Sequence, residues 1–279
     1  MRHATALKEV EAVAIGGFDG MHEGHQHLFN ALGEAGAIVV IETGYANLTP
    51  GREREHFTSH PIVYLPLDDI RMLDDRGFVD YLLERFPALS KIVVGYDFRF
   101  GRDRRFSHAD LTKAFGGEVQ VIDEVTVGGE SVHSHKIRAK LIIGDITGAN
   151  RFLGHHYTVR GRVVRGQGIG KQELVPTVNM LTDGFLLPKE GVYASLARLD
   201  GEEHYHPAVT FVGHRVTTDG SFAVETHVLD GEIVCREQID VSFVRRLRGN
   251  EKFPSLEALK AQIAKDIAAA RKAVVRLEL

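Results

Sequence analysis

The first half of the chain alternates between two hydrophobic patterns. Short, continuous apolar runs predict buried strands, and stretches with apolar residues at helical spacing lie between those runs. The predicted strands are residues 10–18, 37–41, 62–67, 91–98 and 119–125, and the predicted helices are residues 24–32, 78–86 and 109–115. Strands separated by helices predict a parallel, doubly wound sheet, which binds its ligands at the carboxyl ends of the strands.

The second half has a different pattern. Two helices are predicted at residues 136–143 and 146–153, and short strands then follow one another without helices between them. These strands are predicted at residues 157–164, 192–199, 208–212, 222–229 and 238–244, before a final helix from about Leu256 with Ser255 as its N-cap. We therefore predict an α/β fold, with a Rossmann-like domain at residues 1–156. An antiparallel β-barrel domain with a C-terminal helix is predicted at residues 157–279.

The composition disfavours several classes of protein. The 34 Lys and Arg residues nearly balance the 38 Asp and Glu residues, and the net charge of −4 argues against a nucleic-acid coat or a polybasic membrane anchor. The single cysteine, Cys235, cannot form an internal disulfide or a Cys-based zinc site. The chain starts without the apolar run of a signal peptide, and its apolar stretches are too short to span a membrane. We expect a cytoplasmic protein, a monomer or weak oligomer, with no nucleic-acid or membrane partner.

A glycine-rich segment with two histidines stands where the first predicted strand meets the first predicted helix. Its sequence, at residues 16–25, is GGFDGMHEGH. Glycines let backbone N–H groups approach a phosphate, and a helix N-terminus adds a partial positive charge. Because His22 and His25 are three residues apart, in a helical turn both rings point the same way and can donate hydrogen bonds to phosphate oxygens. The alternatives are a glycine-rich turn with two exposed histidines, and a zinc site without an obvious third ligand.

This segment, extended to GGFDGMHEGHQHLF, resembles the start of the prokaryotic bifunctional riboflavin kinase/FMN adenylyltransferase family, also called FAD synthetases. The resemblance continues in order at residues 94–101, VGYDFRFG, and at residues 133–138, HSHKIR, and it covers nearly the whole chain. It implies that the first domain transfers AMP from ATP onto FMN and releases pyrophosphate. It also implies that the second domain phosphorylates riboflavin to FMN.

The resemblance implies a nucleotide and flavin site in the first domain. In that site His22 and His25 hold the ATP phosphates. Ser134 and Arg138 close over the triphosphate, and the alternative for Arg138 is a solvated helix position. The other implied binding residues belong to the glycine-rich segment and to the segment after the fourth strand: Gly17, Phe18, Asp19, Gly24, Asp97, Phe98 and Arg99.

Several departures from the family pattern fall in this domain. Gly17 stands where the family has Asn, and His133 and His135 stand where it has Ser and Thr. The segment after Ile41, ETGYANLTPGREREHFTSH, is shorter than in the family and lacks its Asp-Pro-His-Pro-type stretch. These changes fall on the substrate contacts of the adenylyltransferase half.

A second glycine-rich segment, GRVVRGQGIGK at residues 161–171, opens the second domain. Its spacing fits neither a Walker A loop nor a dinucleotide fingerprint. A flexible flap that covers phosphates through Gly166, Gly170 and Lys171 fits better, and an ordinary barrel hairpin is the alternative.

The kinase half has a candidate metal site and a candidate base. Thr177 and Asn179 are two residues apart, so on an extended chain they face the same side with hard oxygen ligands for Mg²⁺, although both types are common at strand edges. The family has its Pro-Thr-Ala-Asn signature for ATP and Mg²⁺ here. The resemblance implies that Glu225, otherwise a solvated strand residue, is the general base on the riboflavin 5′-hydroxyl, with His227 on the same face of the strand. It further implies that Arg248 lies in the wall of the flavin site.

The leading hypothesis is a bifunctional enzyme of flavin cofactor synthesis. It uses ATP with Mg²⁺ in both steps, and its other substrates and products are riboflavin, FMN, FAD, ADP and pyrophosphate. Two alternatives are an enzyme with one active half, the kinase, and a flavin- or nucleotide-binding regulator without turnover. A zinc protein is a further hypothesis that rests only on the 15 histidines.

Overall fold

The computed structural model describes residues 7–164, 175–215, 220–230 and 237–275. The chain divides into two compact units, Met1–Ser134 and His135–Leu279. The first contains a parallel sheet and the second a closed antiparallel barrel, which confirms the predicted fold class. In the described part of the chain, no helix is long and apolar enough to cross a membrane.

The sheet of the first unit has five strands, all parallel, in the order β3-β2-β1-β4-β5. Its strands are β1 (Ala12–Gly16), β2 (Gly36–Glu42), β3 (Ile62–Pro66), β4 (Lys91–Gly95) and β5 (Glu118–Ile122). The central strand β1 is buried on both faces, because Val13 and Ile15 pack into one apolar cluster and Ala12 and Ala14 into the other. The carboxyl end of β1 therefore opens into the middle of the sheet edge, where ligands bind in this architecture.

α-Helices connect these strands except between β2 and β3. They are α1 (Glu23–Asn30), α2 (Leu67–Ile70), α3 (Asp75–Arg85) and α4 (His108–Ala114), and all of them but α2 correspond to predicted helices. Shorter elements are 3-10 turns at Leu7–Glu9, Gly51–Phe57 and Arg102–Arg104, and hairpins that pair Arg99–Phe100 with Phe106–Ser107 and Thr126–Val127 with Glu130–Ser131. Helix α3 begins after Asp74, whose carboxylate accepts the backbone N–H of Gly77 at 2.8 Å.

The second unit is a six-stranded closed barrel in the order β6-β7-β10-β9-β8-β11. Its strands are β6 (Tyr157–Val164), β7 (Val178–Leu181), β8 (Gly191–Leu199), β9 (His206–His214), β10 (Phe222–Val228) and β11 (Gln238–Arg248). Strand β7 is absent from the sequence prediction, because four residues after a proline are too short for a hydrophobic pattern. Ser195, Thr210 and Thr226 are buried on three adjacent strands, and their hydroxyls form a hydrogen-bonded chain with distances of 2.8 and 3.0 Å.

Three helices accompany the barrel: α5 (Ser134–Ile143), α6 (Ile146–Leu153) and α7 (Leu256–Val275). The side chain of Asn150 on α6 donates to the carbonyl of Phe243 at 2.8 Å and accepts the backbone N–H of Tyr157 at 2.8 Å. Helix α6 therefore packs with the barrel, whereas the sequence places it before the boundary near residue 156. The predicted N-cap of α7 is confirmed, because the Ser255 hydroxyl accepts the backbone N–H of Ala258 at 3.2 Å.

Candidate functional site

The two histidines of the glycine-rich segment lie where β1 turns into α1. His22 is the N-cap of α1, and its Nδ1 accepts the backbone N–H of His25 at 3.4 Å. The two imidazole rings are stacked, with centroids 3.5 Å apart and planes 18° from parallel. The spacing-based prediction that both rings point the same way is confirmed.

His25 has an unusual environment for an imidazole. Its Nδ1 is buried and has no hydrogen-bond partner in the part of the chain that the structure describes. Burial lowers the pKa of His25 well below its ordinary 6.5, and the neighbouring His22 and Arg54 lower that pKa further. The ring is therefore neutral at pH 7, so it offers one N–H donor and one acceptor nitrogen but no charge.

The turn between the two elements has a constrained backbone. Phe18 and Met21 have φ angles of 47° and 46°, in the left-handed region that non-glycine residues rarely adopt. Each such residue costs about 1–2 kcal/mol, so the surroundings must hold the turn in place. Gly24 leaves room for the stacked histidines, since a Cβ there would lie 3.2 Å from the His22 ring, which is a tight contact.

Hydrogen bonds from residues 47–49 hold one side of this turn. The buried carboxylate of Asp19 accepts the backbone N–H groups of Leu48 at 3.0 Å and Thr49 at 2.9 Å, and the Gly20 N–H donates to the Thr49 hydroxyl at 2.8 Å. The Ser134 hydroxyl donates to the Asp19 carbonyl at 2.8 Å. Asp19 and Ser134 thus shape the glycine-rich turn, whereas Gly17 is exposed on it.

Arg54 holds the other side of the turn, and sequence reasoning did not select it. Its guanidinium donates to the carbonyls of Gly17 at 3.1 Å and Phe18 at 3.3 Å, and only 3% of the residue is exposed. The residue lies in the shortened segment after Ile41, where no pattern in the sequence marks it. Its function depends on tertiary contacts alone.

The segment after β4 places its three predicted residues differently. Asp97 and Arg99 are exposed, whereas Phe98 packs in the core beside Phe100. A neighbouring residue, Tyr96, donates its hydroxyl to Glu124 at 2.8 Å, and this hydrogen bond raises the pKa of Tyr96 to about 12.

The HSHKIR segment crosses the boundary between the two units, which lies after Ser134. His133 lies 3.5 Å from the Glu124 carboxylate, in the first unit. Exposed His135 and half-buried Arg138 lie on α5 in the second unit. The closure of Arg138 over a triphosphate stays a prediction.

The barrel brings together the candidate base and one candidate metal ligand. Asn179 on β7 pairs in register with Glu225 on β10. Arg215, which sequence reasoning also missed, bridges them, because its Nη2 donates to Asn179 Oδ1 and to Glu225 Oε1, both at 2.7 Å. The family that this chain resembles has an Asn-x-Gly-x-Arg-Pro-Thr stretch where residues 211–217 read FVGHRVT, so the retained arginine was a usable signal.

The two candidate metal ligands, Thr177 and Asn179, have the chemistry that a Mg²⁺–ATP site requires. Asn179 Oδ1 accepts one hydrogen bond from Arg215 and keeps a second lone pair, and Thr177 is exposed just before β7. Mg²⁺ binds proteins through one or two oxygen ligands and takes the others from phosphates and water, so two protein ligands suffice. Among the described residues, no group of three or more His, Cys, Asp or Glu side chains could hold a metal ion.

Of three further sets of predicted residues, the structure describes two. His227 Nδ1 lies 2.8 Å from the Pro176 carbonyl oxygen, so its described contact is with the start of β7 and not with Glu225. Arg248 forms an ion pair with Asp266 on α7 at 2.9 Å and borders a cavity of about 460 Å³ between β11 and α7. The flap residues Gly166, Gly170 and Lys171 lie outside the described residues.

Comparisons with known proteins cover both units. The riboflavin kinase (flavokinase) family matches residues 153–274. The bifunctional riboflavin kinase/FMN adenylyltransferase of Pseudomonas fluorescens is 32% identical, over 92% of this chain and 91% of its own. The protein of that name from Escherichia coli (strain K12) is 30% identical, over 96% and 94%. A solved structure from Streptococcus pneumoniae, described as a macrolide-efflux protein, is 27% identical with a TM-score of 0.80 and covers 94% of this chain and 93% of its own.

Proposed function

Because this chain belongs to the bifunctional riboflavin kinase/FMN adenylyltransferase family, we propose that it converts riboflavin to FMN in residues 157–279 and FMN to FAD in residues 1–156. The observation that carries the proposal is that each unit holds one set of chemically suitable groups. The sheet unit has the stacked pair His22 and His25, and the barrel has Glu225 beside Asn179. The match of the riboflavin kinase family from residue 153 onward supports this assignment of the barrel.

In the kinase step, Glu225 acts as the general base. The 5′-hydroxyl oxygen of riboflavin attacks the γ-phosphorus of ATP, ADP leaves with the electron pair, and Glu225 accepts the hydroxyl proton. Both N–H groups that Arg215 donates to Glu225 go to Oε1, so we assign Oε2 as the oxygen that accepts the substrate proton. Thr177 and Asn179 would hold Mg²⁺, which when bound would offset the phosphate charge and orient the leaving group.

In the adenylyltransferase step, His22 and His25 stabilise charge and no covalent intermediate forms on the protein. An oxygen of the FMN phosphate attacks the α-phosphorus of ATP, and the bond to the bridging oxygen breaks to release pyrophosphate. Negative charge grows on that leaving group, where N–H donors of the histidines and the N-terminus of α1 are favourable. Exposed Asp97 and Arg99 contribute to the substrate pocket, and Arg138 neutralises the triphosphate.

The reaction is tested by incubating the purified protein with riboflavin, ATP and Mg²⁺ and resolving the flavins by chromatography. We expect FMN to form first and FAD to accumulate afterwards. FMN alone would support an enzyme in which only the kinase is active, since the departures at Gly17, His133 and His135 fall in the other half. Bound flavin without any product would support a regulator. We further propose that the protein works in the cytoplasm, where its small substrates are dissolved, as a monomer or weak oligomer.

A further inference from the structure

The backbone turn between β1 and α1, which positions His22 and His25, has a conformation that its own residues do not favour. Phe18 and Met21 both have left-handed φ angles within four residues, which no local sequence preference favours. Such a conformation persists only where neighbouring structure fixes it. The groups that fix this turn are therefore as important for the site as the histidines themselves.

Arg54 is well suited to fix the turn. Its Nη2 donates to the Gly17 carbonyl at 3.1 Å and its Nε to the Phe18 carbonyl at 3.3 Å, while its Nη1 donates to the Gly51 carbonyl at 2.9 Å. The guanidinium thus joins two consecutive carbonyls of the turn to the segment that supplies it. A planar fork can do this and a lysine ammonium cannot, because only the fork directs several N–H groups in fixed directions.

The contact between Arg54 and the turn continues to the histidines through Phe18. The Phe18 ring packs edge-on against His25 at 5.1 Å and against Phe29 at 5.0 Å, and His25 in turn stacks on His22 at 3.5 Å. A change in the Phe18 backbone therefore moves the surface on which His25 rests. Direct contacts therefore connect Arg54 to both histidines through Phe18.

We propose that Arg54 is a positioning residue for adenylyl transfer, which clamps the Gly17 and Phe18 carbonyls and thereby keeps His25 stacked on His22. This inference rests on the proposed function of the first unit. It assigns a role to the shortened segment after Ile41, whose family-type substrate contacts are missing. In this chain that segment instead fixes the backbone of the turn beside the two histidines.

The charge of Arg54 supports the same role. Burial is the largest cause that lowers the pKa of His25, and His22 and Arg54 follow. The groups that face Arg54 are Asp19, Tyr64 and Glu42, of which Asp19 is the largest electrostatic influence. Removing the Arg54 charge should therefore raise the pKa of His25.

The test compares Arg54→Lys and Arg54→Met with Arg52→Met, an exposed neighbour whose described ion pair is only with Glu55. Initial rates of FMN-to-FAD and of riboflavin-to-FMN conversion are measured on each full-length protein, together with ATP binding by calorimetry. We expect both Arg54 variants to lose about 100-fold in kcat for FAD formation, as expected for a displacement of about 1 Å, with KM for FMN and the kinase rate unchanged. Arg52→Met should retain both rates.

Histidine NMR titration separates the clamp from the charge. Arg54→Met should raise the pKa of His25, whereas Arg54→Lys should leave it near its original value while still losing turnover. Wild-type FAD formation in either Arg54 variant would overturn the proposal. Loss of ATP binding together with turnover would also overturn it, because Arg54 would then only maintain the fold. If the wild-type protein itself forms no FAD, the proposed function fails instead.

Discussion

The two candidate sites position their side chains in different ways. The sheet unit places His22 and His25 beside a turn with left-handed residues, and contacts of Asp19 with Thr49 and of Arg54 with Gly17 hold that turn to a distant segment. The barrel places Asn179 and Glu225 side by side through regular strand pairing. Strand register orients a side chain without further help, whereas a turn between a strand and a helix depends on what surrounds it.

This difference predicts how each site responds to substitution. In the barrel, removing one functional group should remove one chemical role, because the ladder still holds the neighbours. In the turn, removing a supporting group should displace several functional groups together. Variants in the two units can be compared in one polypeptide, since each proposed reaction reports on its own unit.

The largest expected effect is that of Glu225→Gln on the kinase step. The amide cannot accept the hydroxyl proton, so we expect riboflavin phosphorylation to fall by about 1,000-fold, within the range of general-base catalysis. FMN-to-FAD conversion should be unchanged, and exposed Glu203→Gln serves as the control. If Glu225→Gln abolished both reactions in folded protein, the assignment of one reaction to each unit would be wrong.

A variant at Asp240 tests how much a buried ion-pair network contributes to the free energy of unfolding of the barrel. Asp240 is buried between Arg160 and Arg198. Burial alone raises the pKa of Asp240, but hydrogen bonds from both arginines outweigh it and hold that pKa below its ordinary value. Asp240→Asn should lower the free energy of unfolding by about 3 kcal/mol at pH 7, measured by urea denaturation.

The pH dependence of the stability difference between wild type and Asp240→Asn checks that the ion pairs cause it. Because the folded pKa of Asp240 is depressed, its stabilisation is present above the ordinary pKa of the group and is lost as pH falls through the folded value. The difference between wild type and Asp240→Asn should therefore shrink below about pH 4. A difference that grew with acid would contradict the ion-pair explanation.

In the turn, His25→Ala should lower FAD formation by about 100-fold, as expected for the loss of a preorganised donor at a developing charge. Riboflavin phosphorylation should continue. His27→Ala on the exposed face of the same helix is the matched control, and it should retain both reactions. An equal loss in both histidine variants would indicate that α1 was disturbed as a whole.

The smallest expected effect is that of Arg215→Lys on the kinase rate. Lysine keeps the charge but loses the fork that joins Asn179 to Glu225, so we expect about a tenfold lower kcat for FMN formation, equal to about 1.4 kcal/mol. Ser221→Ala removes the hydrogen bond that Arg215 Nη1 donates to the Ser221 hydroxyl at 2.7 Å and should cost less. If the Arg215→Lys loss matched that of Glu225→Gln, the barrel site would depend on outside support as much as the turn does.

Much of the fold could be predicted from the sequence because it depends on local patterns. The apolar runs at 37–41 and 62–67 became β2 and β3, and the three-residue spacing of His22 and His25 gave the stacked pair. Strand β7 escaped prediction because four residues after Pro176 show no period. The grouping of α6 with the barrel depends on the contacts of Asn150, which no periodicity reveals.

The supporting residues could not be predicted for a different reason. Nothing in the sequence marks Arg54, and the arginine of the family stretch marks the position of Arg215 but not the groups that it binds. The site and turn groups to which the two arginines donate lie 10 to 37 residues away along the chain. A resemblance to a family supplies the residues that touch substrate, but it does not show which side chains hold them. That information required the three-dimensional contacts.

The hydrogen bonds among the buried hydroxyls of Ser195, Thr210 and Thr226 favour one register of three adjacent barrel strands. A slip by one residue would turn Thr226 outward and leave buried oxygens unmatched, which costs free energy. Since Glu225 immediately precedes Thr226 on β10, the same slip would turn the Glu225 carboxylate into the apolar interior. These three buried hydroxyls thereby raise the free energy of any slipped barrel in which the Glu225 carboxylate points inward.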